Sequence, residues 1–367
     1  MSGPTGGHPG LTALAGYFLR LGSLGFGGPI ALVGAMQLEL VERRRWFSED
    51  EFARSLALAQ LAPGPLAAQV AFCLGYLHSK LKGAAAVGLA FILPSFALTL
   101  LLGALYVRYG GMPWLAAAFY GVGAVVIGII VVSAYRLAKS TASKDPLLWG
   151  IVALVAVVTA WRAQELVWLI VLAGLVAALA QGASSRGVTL SVSLLPSLFW
   201  YFAKAGLFVF GSGLAIVPFL YSGVVSEHRW LTDREFLDAI AVAMLTPGPV
   251  VITAAFIGYL VAGSAGAVAA TLGVFLPAFV LAVLLLPAFD RFARSPRVVG
   301  FIRGITAAAA GAIAGACVVL GRRAILDPLT ALLAVATLLV LVRTRIPAGL
   351  LVLGGAAIGL VLRGQHP

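Results

Sequence analysis

One tripeptide, Pro63-Gly64-Pro65, returns 184 residues later as Pro247-Gly248-Pro249, and the chain around it returns as well. At that spacing Phe18, Gly22, Phe26, Gly27, Trp46, Glu51, Phe52 and Leu61 answer to Phe202, Gly206, Phe210, Gly211, Trp230, Glu235, Phe236 and Leu245. Beyond the tripeptide the spacing slips by one. Gly75, Gly83, Pro94 and Gly128 then match Gly258, Gly266, Pro277 and Gly311, and Asp145-Pro146 answers Asp327-Pro328. An ordered series with single-residue gaps is a duplication, so whatever one copy folds into, the other must accommodate.

The medium of that fold follows from charge. Charged residues make up 10% of the chain and hydrophobic ones 61%, against roughly 25% charged in an ordinary soluble domain. Apolar runs long enough to cross a hydrocarbon core of about 30 Å recur throughout. The fold class expected is an all-α polytopic membrane protein of two homologous halves, arranged as inverted repeats with discontinuous helices. A polar tail, residues 1–10, precedes a first repeat over 11–181. A Ser/Gly-rich linker, 182–195, joins it to a second repeat over 196–362, and 363–367 form a C-terminal tail. The first tail has no basic n-region and no cleavage site, so it reads as a tail and not a signal peptide. Segments 11–37, 53–77, 84–107, 114–136, 147–160 and 166–181 in the first repeat are matched by 196–223, 236–261, 265–287, 300–321, 328–342 and 346–362 in the second. Not all twelve need cross completely.

Several function classes are excluded by what is missing. Cys73 and Cys317 lie in apolar stretches without disulfide or metal-ligand spacing. The four histidines are scattered at positions 8, 78, 228 and 366, and no catalytic constellation forms around them. No enzyme activity, metal or cofactor is expected. The net charge of +12 sits almost entirely in short loops, where it serves topology and attraction to anionic lipid. Nucleic-acid binding has no support.

Loop charge bears on how the halves are oriented. His78, Lys80 and Lys82 follow the second segment of the first half, whereas the matching 261–264 is uncharged. Swapped bias at equivalent loops is the mark of inversion under the positive-inside rule. Arg43, Arg44, Arg45 and Arg229 argue the other way, since they charge the same loop in both copies.

The chemistry is carried by helix breaks. Two prolines flanking a glycine interrupt the hydrogen-bond ladder, and bare backbone survives in a membrane only inside protein or beside a wet cavity. Pro65 and Pro249 suit the start of a new half-helix. The N–H groups after them, Leu66–Ala68 and Val250–Ile252, would then face a cavity with the positive helix end, which favours an anion. A pair of structural kinks is the competing explanation. Polar neighbours Gln60, Gln69, Thr246 and Thr253 favour the site. The opening segments, with Ser23, Gly25, Gly27 and Gly28 in one copy and Gly211, Ser212 and Gly213 in the other, read as a second pair of discontinuous helices or as close helix packing. Arg20 and Lys204 are equivalent cations in apolar segments, either functional or snorkelling. Arg43–Arg45 offer a basic vestibule or topology charges. Ser48 with Glu51 and Thr232 with Glu235 read as capping boxes without a chemical role.

Phe26-Gly-Gly-Pro29, Glu42-Arg-Arg-Arg-Trp46, Leu61-Ala-Pro-Gly-Pro65 and Leu245-Thr-Pro-Gly-Pro249 together resemble the chromate ion transporter family in its long, two-half form, from Leu11 to about Leu362. The resemblance implies an inner-membrane exporter that confers chromate resistance, with sulfate as competitor. It also implies halves that descend from short members able to lie antiparallel. The second copy departs from the first where Gly28-Pro29 becomes Ser212-Gly213 and Arg43-Arg44 becomes Glu227-His228. The substrate site expected on this basis comprises both tripeptides, Leu66, Val250 and the polar and glycine residues above, with Arg20 and Lys204 supplying charge. The lipid bilayer is the other partner, and a homodimer is compatible with the sequence. Transport of sulfate or another tetrahedral oxyanion is the alternative. For energy, the apolar segments show almost no carboxylates: Glu39 and Glu42 lie at a segment end, Glu165 in a loop and Asp290 past a segment end. Drive by the membrane potential is therefore expected, with proton antiport through Glu39 or Glu42 as its rival.

Overall fold

The computed structural model describes residues 9–26, 28–109, 113–143, 145–162, 194–207, 209, 216–287, 289, 296–325, 327–344, 346 and 348–363. Segment 166–181, most of the linker, Glu165 and Asp290 lie outside the described residues, as do Gly27, Gly211, Ser212 and Gly213. The described residues are helical, with no strand among them.

In the first repeat α1 spans Leu11–Leu24, α2 Gly28–Met36, α3 Glu49–Leu61, α4 Leu66–Tyr109, α5 Pro113–Ala142 and α6 Pro146–Arg162. In the second, α7 spans Leu194–Leu207, α8 Ile216–Tyr221, α9 Asp233–Leu245 and α10 Thr253–Leu285. Then follow α11 Pro296–Ala324, α12 Pro328–Arg343 and α13 Ala348–Arg363. Helices α4, α5, α10 and α11 contain the stretches long and apolar enough to cross a membrane.

The opening segments do not cross. The Tyr17 hydroxyl donates to Ala35 O at 3.2 Å, and its equivalent Tyr201 donates to Phe219 O at 2.7 Å. In one straight helix those groups would stand about 27 Å apart. Each segment therefore folds back into a re-entrant hairpin, the first beside Gly25 and Gly28, and each ends in a π-helical turn (Gln37–Arg43 and Ser222–Glu227). The likeness extends to single dihedrals, with φ of 53° at Arg45 and 52° at Arg229.

The long helices α4 and α10 each contain a reversal. Ser79-Lys80 and Ala262-Gly263 leave helical geometry, with φ of 52° at Lys80 and 61° at Gly263. The limbs on either side then pack antiparallel, so closely that a side chain on Gly75 would strike the Gly83 backbone, and one on Gly258 the Gly266 backbone. Residues 66–78 thus return beside 81–109, and 253–261 beside 264–285.

These reversals fix the relation of the halves. A side chain on Gly103, far along α4 from its own reversal, would strike the ring of Tyr259, which adjoins the reversal of the other half. Phe256 of that same limb stacks edge-on with Tyr106 at 5.5 Å. The crossing limbs of the two halves therefore run in opposite directions, and the repeats are inverted. Loop charge at 78–82 against 261–264 had pointed to this, and the equivalent arginine loops stand on opposite faces. Arg54, at the start of α3, donates to Leu286 O at the end of α10 (3.4 Å). The start of α3 thus lies at the same face as the 79–80 reversal, so α3 with residues 66–78 is a second re-entrant hairpin. Cysteines placed in 78–82 and in 261–264 are expected to react with an impermeant maleimide from opposite sides of the membrane; labelling of both from one side would refute the arrangement.

Helices α5, α6, α11, α12 and α13 form a separate bundle, closely packed through glycines such as Gly121 against Gly355 and Gly359. The hairpin assembly meets this bundle chiefly through α9, which packs on α5 and α13.

Candidate functional site at the hairpin tips

Four hairpin tips meet in the middle of the molecule, two from each face. The first face carries the 79–80 reversal and Pro9, whose carbonyl lies 2.7 Å from His78 Nε2. α1 enters from there and reaches α4 at mid-length, where Gly22 abuts the Phe91 backbone. Its equivalent Gly206 abuts Val274 in the same manner. The tips are joined by two backbone hydrogen bonds that exchange partners between halves. Gly64 N–H donates to Val209 O at 2.8 Å, and Gly248 N–H donates to Gly25 O at 2.7 Å. These are one contact made twice, since Gly64 pairs with Gly248 and Gly25 with Val209 in the duplication. Each tripeptide closes on the hairpin of the opposite copy, so neither half completes a tip pair alone.

Glycine is required in both tripeptides. Gly64 has φ 143° and Gly248 φ 94°, a region closed to most side chains. A Cβ on Gly248 would also collide with the Ser95 hydroxyl, and one on Gly64 would come within 2.8 Å of Ala278 Cβ. Ser95 and Ala278 are equivalent positions, so the two tips differ in polarity. Ser95 Oγ donates to Gly22 O at 3.2 Å, a bond Ala278 cannot make.

Directly after Pro65 a helix begins, with Gln69 N–H bonded to Pro65 O at 2.9 Å. Helix geometry leaves the N–H groups of Leu66–Ala68 without intrahelical partners. The second copy departs here, because a short 3₁₀ turn, Val250–Ile252, intervenes and Ile252 N–H is spent on Pro249 O at 3.0 Å. Gln69, 1% exposed, donates from Nε2 to Pro63 O at 2.8 Å, while its Oε1 is buried without a hydrogen-bond partner among the described residues. Its equivalent Thr253 turns its hydroxyl to Val250 O, and Thr246 bonds to Val242 O and Ala243 O. The hydroxyls thus serve their own helix ends.

Other expected site residues stand apart from the tips. Arg20 is exposed on the face of α1 opposite Leu14, Phe18 and Gly22, and Lys204 is likewise exposed on α7. Ser23 is exposed and bonds to Leu19 O, and Gln60 is exposed. Gly28, with φ 78°, begins α2 beside the tip. Arg43, Arg44 and Arg45 lie exposed at the mouth of the first hairpin. Glu39 pairs with Arg44 at 2.6 Å and Arg43 at 3.4 Å. The Arg44 hydrogen bond holds the Glu39 carboxyl below the usual range, and Glu42 is exposed. Both capping boxes are formed, Ser48 with Glu51 and Thr232 with Glu235.

One residue escaped the sequence reading. Asp238, 4% exposed, lies within apolar segment 236–261 and was not among the carboxylates weighed from the sequence, Glu39, Glu42, Glu165 and Asp290. The signal was its pairing with Arg54 across the duplication, a charge kept in the same helix with its sign reversed.

Inverted repeats whose broken helices meet at mid-depth are the architecture of a membrane carrier. The chromate transporter family model matches residues 12–179 and 196–360, and the chain belongs to that family. It is 50% identical to the "Chromate transport protein" of Cupriavidus metallidurans, over 96% of this chain and 93% of that one. It is 49% identical to a "Probable chromate transport protein" of Synechococcus elongatus, over 87% of each chain. A "Chromate transport protein" of Pseudomonas aeruginosa is 34% identical over 81% of this chain and 77% of its own. No solved structure matches.

Proposed function

We propose that this protein exports chromate across the inner membrane, with sulfate as the competing ion, and so confers chromate resistance. The observation that carries the reading is the reciprocal tip pair, which gathers interrupted backbone from both halves at one depth and leaves the start of 66–78 to offer N–H donors. A tetrahedral dianion suits such donors, each helix end contributing about 0.3–2 kcal/mol, enough to select charge without trapping the ion. Arg20 and Lys204 are the equivalent cations that would attract the dianion toward the protein, each exposed on its helix and set apart from the tips.

Orientation supports export. Arg43, Arg44, Arg45, Arg54, Lys80 and Lys82 lie at the first face, against Arg108, Arg229 and Arg234 at the second. By the positive-inside rule the first face is cytoplasmic, so the triple-arginine mouth gathers the dianion from the cell interior. Purified protein in liposomes is expected to move labelled chromate, with inhibition by excess sulfate. Arg20→Ala and Lys204→Ala should each lower the flux severalfold. Flux of sulfate without chromate would establish the oxyanion alternative, and unchanged flux in both variants would remove these cations from the site.

A further inference from the structure

Among the described residues Asp238 is the one carboxylate buried inside the helical assembly. Its partner comes from the other half: the Tyr106 hydroxyl donates to Oδ2 at 2.7 Å. The Tyr106 ring is held edge-on by Phe119 of α5 at 5.8 Å and Phe256 of α10 at 5.5 Å. Asp238 also lies on α9, the helix through which the hairpin assembly meets the bundle. It is about 7.5 Å from the start of α9, close to the second face. An ionisable side chain kept within membrane helices is a functional candidate by default, and nothing in the tip geometry uses this one.

We propose that Asp238 and Tyr106 form a proton-binding site between the two halves, filled from the second face. The Asp238 carboxylate takes a proton from water on that side and becomes the neutral acid, while Tyr106 keeps its own proton. A charge-assisted hydrogen bond is roughly twice as strong as a neutral one, so protonation weakens the link between α4 and α9. That link spans both the half-to-half contact and the joint to the bundle, which couples external acidity to the freedom of the hairpin assembly. The charged and titratable neighbours are few. Asp233, Arg234 and Glu235 share the helix, Asp233 accepting from the Tyr221 hydroxyl and Glu235 tied into its capping box. α4 adds Arg108, which stacks over Tyr109. α10 adds Tyr259. α5 adds Tyr120, which donates to Asp327, and Tyr135, Arg136 and Lys139 toward its other end. The described side chains of α13 include no titratable group.

Infrared difference spectra of the full chain in liposomes, titrated with acid, test the site without reference to the transported ion. The expected result is a protonated-carboxyl C=O band that appears on acidification and is lost in Asp238→Asn. With the potential clamped, chromate flux in Asp238→Asn should also lose the part of its pH dependence that the wild type adds to the ion's own titration. In Tyr106→Phe the band should persist with its midpoint moved to higher pH, because a donor to the charged form is gone. An unchanged band in Asp238→Asn, or an unmoved midpoint in Tyr106→Phe, overturns the proposal. Absence of chromate flux with the titration intact would instead count against the export reading alone.

Discussion

Replacing Pro63-Gly64-Pro65 by three alanines is expected to abolish chromate flux while leaving membrane insertion largely intact. Alanine restores the helix former at each break, so α3 and residues 66–78 would tend toward one rod of about 45 Å. The hairpin could not then return both ends to one face, and the Gly64 N–H bond to Val209 would be lost. The same change at Pro247-Gly248-Pro249 removes the bond to Gly25 and sets a methyl against the Ser95 hydroxyl. The two variants should differ in severity, because Ser95 faces one tip and Ala278 the other. Flux in liposomes, beside gel filtration of the purified variants, decides the outcome. Normal flux in a well-folded triple variant would reduce the tripeptides to structural kinks.

The fold was legible wherever the duplication repeated a backbone constraint. Paired prolines and glycines located the tripeptide breaks, charge at 78–82 marked the first reversal, and paired Ser/Thr–Glu spacings located both capping boxes, since these depend on residues close in sequence. The hairpins were not legible. Segment 11–37 is apolar with Arg20 as its one charged residue, and a run that folds back on itself has the same composition as one that crosses. What distinguishes them is the Tyr17 bond to Ala35, a contact between side chain and distant backbone that periodicity does not encode. Inversion was only half visible, because Arg45 and Arg229 occupy one equivalent loop with the same charge; the facing of Gly103 and Tyr259 supplies what loop charge left divided. Asp238 was hidden for a related reason. It follows a polar capping sequence and reads as an interfacial residue, whereas its burial depends on Tyr106, which reaches it from the other half.

Abolishing the membrane potential is expected to stop efflux, while collapsing the pH gradient alone should leave it running. One charge crossing 100 mV is worth about 2.3 kcal/mol, so an exported dianion gains about 4.6 kcal/mol, a gradient on the order of 10³. An inside-negative cell can expel chromate with no proton carried. The rival, proton antiport through Glu39 or Glu42, is poorly served by their surroundings: Glu39 is held ionised by Arg44 at a hairpin mouth, and Glu42 is exposed. Asp238 is buried, yet it lies near one face, where its proton sets the rate of movement and need not travel with the ion. Valinomycin with potassium should therefore halt efflux from energised vesicles, and nigericin should slow or speed it without stopping it. If nigericin stops efflux and valinomycin does not, the drive is a proton exchanged for chromate. Asp238→Asn would then be expected to fail even with the potential intact, because the one buried carboxylate among the described residues would be the carrier.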